Sequence, residues 1–219
     1  MKNIIIVGAG GLGKELYYYL INDLNKANYT NFVFKGFLDD SIENFQKTSI
    51  AGEYYLGKIK EYAVSSNDYI IVGIGSVLTR NYFINYFQEK KANFFTFIHS
   101  SSIIQDTSII GEGVIICPYC IIQPNSNIGS YSILNVYVNI GHDSKIGQCS
   151  ILSPYATLNG NVVIGDNLFM ATRSSILAGS SLGNNCIISA HTVVKGDFTD
   201  NYMFKDQTKQ IKIKNRLNS

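Results

Sequence analysis

The strongest constraint on how this chain folds is a six-residue repeat in its second half. From Ile104 to Val194 every sixth residue is aliphatic, sixteen positions out of sixteen. The fourth residue after each of the first fifteen is small or β-branched, except for Leu168. Glycine recurs every eighteen residues, at Gly111, Gly129, Gly147, Gly165 and Gly183. Three hexads therefore make one turn, and a period this short is typical of a parallel β-helix whose short strands bury one aliphatic side chain each.

The distribution of charge marks the border of the repeat. Only six residues between positions 103 and 194 are charged, whereas the other 127 positions hold 28 of the 34 charged residues. We therefore expect an N-terminal domain at residues 1–100, a β-helix at residues 101–195 and a C-terminal tail or cap at residues 196–219. Stacked coils leave unpaired strand edges at both ends, and the two flanking segments are placed to cover them.

The composition excludes several classes of protein. Hydrophobic residues make up 46% of the 219 residues, too many for a disordered chain, and no apolar run reaches the roughly 18–20 residues of a membrane span. The apolar start at residues 4–7 is too short for a secretory signal, so we expect a cytoplasmic protein without a membrane span. The formal net charge of +2 is too small to indicate binding to nucleic acid.

The cysteines do not indicate a metal or redox site. Cys117 and Cys120 form a single CxxC motif, with no second pair and no nearby histidine to complete a zinc site. Cys120 and Cys186 fall on the small inward positions of the repeat, so packing accounts for them. We therefore expect no metal.

The first hundred residues alternate between strand-like and helix-like patterns. Strands are predicted at residues 4–7, 32–38 and 69–75, and helices at about 14–24 and 78–91. Such βαβ units form a small Rossmann-like parallel sheet. The predicted fold is therefore an α/β N-terminal domain followed by an all-β parallel β-helix.

A glycine-rich turn follows the first predicted strand. Gly8, Gly10 and Gly13 form a GxGxxG pattern, which lets backbone N–H groups approach a phosphate at a helix N-terminus. Asp39 and Asp40 close the second strand, where an acid can reach a sugar or a base. The pattern predicts a nucleotide-binding edge, although tight packing of strand against helix would also explain the glycines.

Together the two halves resemble the hexapeptide-repeat sugar-nucleotide acetyltransferases. The relevant groups are the bacterial UDP-, dTDP- and GDP-4-amino-sugar N-acetyltransferases and the sialic acid O-acetyltransferase family. The resemblance rests on the repeat over residues 104–194 and on the order of the two parts. It implies a left-handed β-helix, a homotrimer with active sites between subunits, and acetyl-CoA as cosubstrate.

The resemblance also implies positions for a nucleotide-linked amino sugar. The matching residues are Gly10, Gly11 and Leu12 in the turn that faces the sugar nucleotide, Asp39 and Asp40 at the nucleotide base, and Gly75 with Arg80 in an Ile-Gly-x-x-x-x-Arg segment. Leu12 stands where the family commonly carries histidine. A carboxylate accepts an N–H of uracil, thymine or guanine equally well, so the identity of the base stays open.

The chain offers three imidazole bases, His99, His142 and His191. Acetyl transfer from a thioester needs a group that removes the nucleophile's proton near neutral pH. His142 lies at a predicted corner, where side chains leave the prism, and Asp143 beside it can hold the imidazole tautomer. Gly141-His142-Asp143 also matches the family's base and its acidic partner, so the resemblance implies that His142 is the general base.

Acetyl-CoA is expected to lie along the coils. The matching positions are Ile151, Gly160, Thr172 and Ala190. Small residues at the last three would let the pantetheine arm approach, whereas Ile151 replaces a second histidine of the family. Arg173 and Lys195 are the nearest cations in sequence for the CoA phosphates.

The sequence therefore predicts an acetyl-CoA-dependent N-acetyltransferase. Its acceptor would be the 4-amino group of a nucleotide-linked amino-deoxysugar in bacterial surface-glycan (O-antigen) biosynthesis. One alternative is a sialic-acid-type sugar O-acetyltransferase, which would use the same base on a hydroxyl group. Another is a non-catalytic β-helix scaffold or nucleotide-sugar-binding regulator. The glycine-rich turn and the two aspartates favour an acceptor that carries a nucleotide.

Overall fold

The computed structural model describes residues 1–24 and 29–206. Its N-terminal part is a five-stranded parallel sheet in the order β3-β2-β1-β4-β5. The elements are β1 (Lys2–Val7), α1 (Gly11–Leu24), β2 (Phe32–Leu38), α2 (Ile42–Gln46), β3 (Tyr55–Gly57), β4 (Asp68–Val72), α3 (Val77–Glu89) and β5 (Asn93–Phe94). The predicted strands and helices are confirmed to within a few residues, whereas α2, β3 and β5 have no counterpart in the sequence prediction.

Helices cover both faces of this sheet. Ile4 and Ile6 of β1 pack in one cluster with Leu16 and Leu20 of α1. The alternate residues of β1 pack with Phe87 of α3 on the other face. Since successive side chains of a strand point to opposite faces, a strand covered on both sides needs a continuous apolar run, which residues 4–7 supply.

A buried aspartate with four hydrogen-bond donors fixes the end of the sheet where β1 and β4 begin. The Asp68 carboxylate is fully buried and accepts hydrogen bonds from Asn3 Nδ2, Lys35 Nζ, the Tyr62 hydroxyl and the Ser65 N–H. Burial by itself would raise the pKa of Asp68, but these hydrogen bonds outweigh it and hold the pKa at about 2. The charged form of Asp68 therefore stabilises the fold.

From Phe97 onward the chain winds into a prism with three flat faces, each a parallel sheet of two-residue strands. Face I contains β6 (Phe97–Ile98), β9 (Ile115–Ile116), β12 (Ile133–Leu134), β15 (Ile151–Leu152), β18 (Phe169–Met170), β21 (Ile187–Ile188) and β24 (Met203–Phe204). Face II contains β7 (Ile103–Ile104), β10 (Ile121–Ile122), β13 (Asn139–Ile140), β16 (Thr157–Leu158), β19 (Ser175–Ile176) and β22 (Val193–Val194). Face III contains β8 (Ile109–Ile110), β11 (Asn127–Ile128), β14 (Lys145–Ile146), β17 (Val163–Ile164), β20 (Ser181–Leu182) and β23 (Asp197–Phe198).

The six-residue repeat sets the inward side of every strand. The second residue of each strand from Ile116 to Val194 points into one continuous apolar core, together with small residues such as Cys120 and Cys186. Paired strands run from Phe97 to Phe204. The ladder is thus longer than the segment 101–195 and includes part of the expected tail. Residues 207–219 of that tail lie outside the described residues.

The N-terminal domain sits on face I. Outward residues Ile115 and Ile133 of that face are buried in one cluster with Phe95. Helix α3 reaches the corner between faces III and I, where the buried Arg80 guanidinium donates hydrogen bonds to the carbonyls of Val72 and Tyr131. Burial lowers the pKa of Arg80 to about 10. These contacts join the two parts and leave the corner between faces II and III on the far side of the prism.

The CxxC pair of the sequence is divided between two cores. Cys117 packs at the junction of face I with the N-terminal domain, whereas Cys120 points into the prism. Across residues 1–24 and 29–206, no group of three or more His, Cys, Asp or Glu side chains could hold a metal ion. In the same part of the chain, no helix has the length and apolar character needed to cross a bilayer.

Candidate active site

A cavity of about 480 Å³ opens at the carboxyl ends of β1, β2 and β4. Ligands of parallel α/β sheets bind at this edge. The cavity is lined by all six residues expected to contact the sugar nucleotide, Gly10, Gly11, Leu12, Asp39, Asp40 and Gly75. The structure adds residues that no sequence motif indicates, among them Asn44, Ile59 and Phe83.

The glycines in and near the turn fall into two groups, those that leave no space for a side chain and those that border free space. A side chain on Gly13 would place its Cβ 1.9 Å from the Gly8 carbonyl oxygen, and Gly8 itself has a φ of +95°. These two glycines are therefore required for strand and helix to approach each other. A Cβ added at Gly10, Gly11 or Gly75 would meet no atom within 4 Å. The backbones of these three glycines are open to a ligand in the cavity.

The two aspartates differ in what their carboxylates already bind. Asp39 is buried, and its oxygens accept hydrogen bonds from the Ala9 N–H at 2.7 Å and the Ser41 N–H at 2.8 Å. Asp39 thus ties the turn to the loop after β2. Asp40 is exposed, and within the described residues its carboxylate accepts one hydrogen bond, through Oδ1 from the Ile59 N–H at 3.0 Å. Asp40 is the acid whose carboxylate is more accessible to a base.

The expected catalytic pair lies at the corner between faces II and III. His142 Nδ1 and Asp143 Oδ2 are 2.7 Å apart, and the His142 side chain is 59% exposed. Asp143 Oδ1 accepts a hydrogen bond from Asn125 Nδ2 one coil below. The hydrogen bond with His142 lowers the pKa of Asp143, and that with Asn125 lowers it further. Asp143 is therefore held as a carboxylate between two donors.

This contact fixes which imidazole nitrogen is free. A carboxylate only accepts, so Nδ1 of a neutral His142 carries the proton and Nε2 keeps its lone pair. The ring lies over Gly160 of the next coil, where a Cβ would be only 2.5 Å from Nε2. Gly160 thus lets the imidazole lie against the backbone with Nε2 as the available base.

Two of the expected acetyl-CoA positions share the corner between faces I and II. Thr172 and Ala190 are exposed there, and their backbone N–H groups donate no hydrogen bond within the described chain. The Arg173 guanidinium lies 5.2 Å from the centroid of the Tyr155 ring, which holds it at the same corner. Free N–H groups beside a fixed cation fit the amide carbonyls and phosphates of CoA.

Ile151 does not join this surface. Its side chain is 5% exposed and packs with Phe95, Phe97 and Ile133 where the N-terminal domain covers face I. The outward position of a strand on this face becomes core because a second domain sits on it. We therefore remove Ile151 from the candidate cofactor site.

The other histidines occupy different environments. His99 is largely buried, with Nδ1 2.8 Å from the Ser101 hydroxyl, in the first corner of the prism. His191 is exposed at the corner between faces I and II, next to Ala190. Lys195 is also exposed, after the last strand of face II.

The expected base and the nucleotide cavity lie on different sides of one chain. The cavity belongs to the domain on face I, whereas His142 follows β13 of face II at the corner farthest from that face. A single chain therefore presents the two halves of the site separately.

A second cavity, of about 420 Å³, adjoins the first through Gly75. It lies between the start of α3 and the prism, and its apolar lining comes from Val77, Leu78, Phe169 and Ile187. No local motif indicates it, because its walls are separated by about ninety positions of sequence. The sequence signal for its prism wall is a recurrence at the eighteen-residue spacing, of asparagine at Asn167 and Asn185 and of apolar residues at Phe169 and Ile187.

The N-terminal part matches a known domain family. Residues 3–87 match the family model described as the PglD N-terminal domain. A curated relative, the UDP-N-acetylbacillosamine N-acetyltransferase of Bacillus subtilis (strain 168), is 30% identical over 120 residues. That alignment spans 53% of this chain and 51% of the relative, about half of each.

Solved structures share the whole architecture. The acetyltransferase domain of PglB from Neisseria gonorrhoeae FA1090, in complex with acetyl coenzyme A, superimposes with a TM-score of 0.80 at 22% identity, covering 92% of this chain and 95% of that one. PerB from Caulobacter crescentus, in complex with CoA and GDP-perosamine, gives a TM-score of 0.77 at 22% identity, covering 93% of each chain. The comparisons confirm the predicted fold, a Rossmann-like domain followed by a left-handed β-helix, and the match of residues 3–87 agrees with the resemblance seen in the sequence.

Proposed function

We propose that this protein is an acetyl-CoA-dependent sugar N-acetyltransferase. The proposal starts from the match of residues 3–87 to the PglD N-terminal domain family and from the fold that the chain shares with the acetyltransferases above. The protein's acceptor is the 4-amino group of a nucleotide-linked amino-deoxysugar used in bacterial surface-glycan biosynthesis. The B. subtilis relative is by its name an amino-sugar N-acetyltransferase, and PerB is described with CoA and GDP-perosamine.

The observation that carries the proposal is the His142–Asp143 pair. Asp143 keeps the imidazole proton on Nδ1, so Nε2 accepts a proton from the amine as the amine nitrogen attacks the acetyl carbonyl. The carbon–sulfur bond then breaks, and the imidazolium returns the proton to the leaving thiolate. The products are the acetamido sugar and CoA, and no acyl-enzyme is formed. Backbone N–H groups are the candidates for stabilising the oxyanion.

The cosubstrate is assigned to the exposed corners of the prism. Thr172 and Ala190 supply the backbone approach at the corner between faces I and II, and Arg173 supplies a cation for a phosphate. Gly160 lies instead under the His142 ring at the corner between faces II and III. In the N-terminal cavity the open glycines Gly10 and Gly11 and the Asp40 carboxylate hold the nucleotide. Acetyl-CoA contributes the activated acetyl group as a thioester.

The complete site forms between two copies of the chain in a homotrimer. The separation of His142 from the nucleotide cavity supports this arrangement, since one chain cannot use both on one acceptor. Faces II and III, which the N-terminal domain leaves uncovered, carry exposed aliphatic residues, among them Ile109, Val163 and Val193. A closed ring of three copies would bury such residues and bring the base of one to the cavity of the next.

Replacing the base tests the chemistry. His142→Ala should retain the trimer and CoA binding but lose most turnover in an assay of thiol release from acetyl-CoA with UDP-, dTDP- and GDP-4-amino-sugars. Sialic acid and CMP-sialic acid serve as acceptors for the O-acetylation alternative. Turnover near wild type in the variant would remove His142 from the mechanism. Absence of CoA binding in the wild type would favour a scaffold.

Subunit mixing tests the shared site separately. His142→Ala keeps its cavity, whereas Gly10→Phe fills the cavity but keeps its base. Each variant alone should be inactive. After mixing and reassembly in equal amounts, about one quarter of the interfaces pair an intact base with an intact cavity, so about one quarter of wild-type activity should return. No recovery in verified mixed trimers would mean that each chain holds its own complete site.

A further inference from the structure

Three tyrosines form a stacked column on the corner between faces I and II. Tyr119, Tyr137 and Tyr155 follow one another at the eighteen-residue spacing, and their ring centroids are 5.0 and 4.8 Å apart with interplanar angles of 15° and 8°. One coil further, the Arg173 guanidinium lies 5.2 Å from the centroid of the Tyr155 ring. Both faces of the Tyr155 ring are therefore covered, by Tyr137 and by Arg173, although the residue stays 45% exposed.

The backbone at these three positions disfavours a bulky side chain. Each tyrosine has a φ of 61° or 62°, in the left-handed region, which costs about 1–2 kcal/mol for residues other than glycine and asparagine. Other corners of the prism place asparagine in this conformation, as at Asn125 and Asn161. The three tyrosines lie outside the core of the prism, so packing within the chain does not require them. A contact outside the single chain accounts for them better.

The outward edge of Tyr155 carries a hydroxyl group that is available to a ligand. This hydroxyl makes no hydrogen bond to any part of the chain that the structure describes, residues 1–24 and 29–206. A phenol hydroxyl can donate one hydrogen bond. Because the ring is held on both faces, the donor is fixed in direction before a ligand binds, as required of a group that stabilises developing charge.

Tyr155 has nearly the same height along the prism as the imidazole nitrogen of the base. One coil of eighteen residues rises by about 4.8 Å, so Tyr155, which follows His142 by thirteen residues, lies about 3.5 Å above it towards the C-terminal end. The His142 ring leans the same way, since its Nε2 lies against Gly160 of the next coil. Copies related by a three-fold axis parallel to the prism keep equal heights. In such a trimer, His142 Nε2 of one copy is level with Tyr155 of the next.

The corner that carries Tyr155 is also the corner assigned to acetyl-CoA. Thr172 and Ala190, whose N–H groups donate no hydrogen bond within the described chain, stand about one and two coils above Tyr155. Pantetheine carries two amides in succession before its thioester. Amides bonded at those two coils therefore bring the thioester carbonyl down to the coil of Tyr155, where its oxygen can meet the hydroxyl.

We propose that Tyr155 is a catalytic residue whose hydroxyl donates a hydrogen bond to the thioester carbonyl oxygen, opposite His142 of the adjacent copy. As the amine nitrogen bonds to the carbonyl carbon, an electron pair of the C=O bond moves to oxygen, and the phenol O–H stabilises that charge while keeping its proton. The pair returns to the C=O bond when the carbon–sulfur bond breaks. The assignment rests on the proposed function, since it takes acetyl-CoA to lie along Thr172 and Ala190 and the site to form between copies.

Removing the hydroxyl alone tests the role of Tyr155 in the reaction. Tyr155→Phe keeps the stacked ring, so kcat in the thiol-release assay should fall about 10- to 100-fold while the KM for acetyl-CoA stays unchanged. Tyr119→Phe is the matched control, because Tyr119 belongs to the same column two coils lower, and it should retain the wild-type kcat. Wild-type kcat in Tyr155→Phe would overturn the proposal and leave the acetyltransferase activity standing.

Subunit mixing tests whether Tyr155 acts opposite the base of another copy. Tyr155→Phe chains supply an intact His142, and His142→Ala chains supply an intact Tyr155. Trimers reassembled from equal amounts should regain about one quarter of the wild-type activity, because about one quarter of the interfaces pair the two intact residues. Verified mixed trimers no more active than the average of the two variants would overturn the assignment.

A spectroscopic measurement needs no acceptor sugar. The probe is a ketone analogue of acetyl-CoA, with a methylene group in place of the sulfur and an isotopically labelled carbonyl. Infrared difference spectra should show a lower carbonyl stretching frequency in wild type than in Tyr155→Phe, because a hydrogen bond weakens the C=O bond. Equal frequencies would overturn the proposal even where the enzyme acetylates an amino sugar. Failure of wild type to bind CoA would overturn the proposed function, and this assignment with it.

Discussion

Gly160 provides a sharp test of the catalytic corner, because the structure leaves no room for a side chain between it and the imidazole. Gly160→Ala would place a methyl carbon 2.5 Å from His142 Nε2 and 2.7 Å from Cε1. Ordinary van der Waals contact begins at 3.4 Å, so the ring must move by about 1 Å. The ring is the part that yields, since its side chain is 59% exposed and the backbone on either side is locked in the ladder.

The expected loss follows from that displacement. A shift of about 1 Å in a reacting group can cost on the order of 100-fold in rate. Moving the ring also strains its 2.7 Å contact with Asp143. Folding stability should change by less than about 0.5 kcal/mol, because the clash is with the end of an exposed side chain. We therefore expect kcat to fall by about 100-fold with an unchanged unfolding transition.

Steady-state thiol release measures the effect, with matched variants as controls. Gly52→Ala adds the same methyl group where no atom lies within 4 Å and should leave kcat unchanged. In a His142→Ala background, Gly160→Ala should cause no further loss, because the group that it displaces is already absent. Wild-type kcat in Gly160→Ala, or an equal loss in the His142→Ala background, would refute the role assigned to this corner.

Three further predictions concern stability and the thiols. The pKa of Asp68, at about 2, lies below its ordinary 3.8. The Asp68 hydrogen bonds therefore stabilise the fold fully above about pH 5, and this stabilisation, about 2 kcal/mol, is lost as the pH falls towards 2. Urea unfolding of Asp68→Asn should lack that loss, and parallel pH profiles of the unfolding free energy for the two proteins would contradict it. Arg80→Met should lower the unfolding free energy by about 2–4 kcal/mol, because two buried carbonyls lose a charged donor. The exposed Lys90→Met control should change it by less than about 0.5 kcal/mol, and a change that small in Arg80→Met would contradict the role of Arg80 in joining the domain to the prism. Burial raises the pKa of Cys117 and holds that of Cys120 at about 12. Thiol titration should therefore find both cysteines unreactive until the protein is unfolded. An intramolecular disulfide between them in the native protein would contradict their separate packing.

The prism could be predicted in detail because its information is local and repeated. Each hexad places one aliphatic residue inward, so the position of Ile140 already determines that His142 leaves the prism at the next corner. The same regularity predicts that Gly160 stacks one coil above His142, since eighteen residues separate them. Local patterns of this kind are sufficient wherever function depends on the corner itself.

Contacts between the two parts could not be predicted in the same way. Ile151 has the pattern of any outward strand residue, and only the docking of the N-terminal domain turns it into core. Arg80 and Asn81 reach residues 51 and 86 positions away, so nothing near them in sequence indicates their partners. The GxGxxG motif likewise does not reveal that Gly13 serves packing while Gly10 stays open, because that distinction depends on the atoms around each position.

The central claim is acetyl transfer to an amine by the His142 site. The most direct test gives the purified protein acetyl-CoA and two nucleotide-linked 6-deoxy sugars. The two sugars differ only at C4, where one bears an amino group and the other a hydroxyl group. Mass spectrometry and NMR identify the products. We predict an amide at C4 of the amino sugar, no acetylated hydroxyl sugar, and loss of the amide product in His142→Ala. An ester on either sugar, or amide formation that survives in His142→Ala, would contradict the claim.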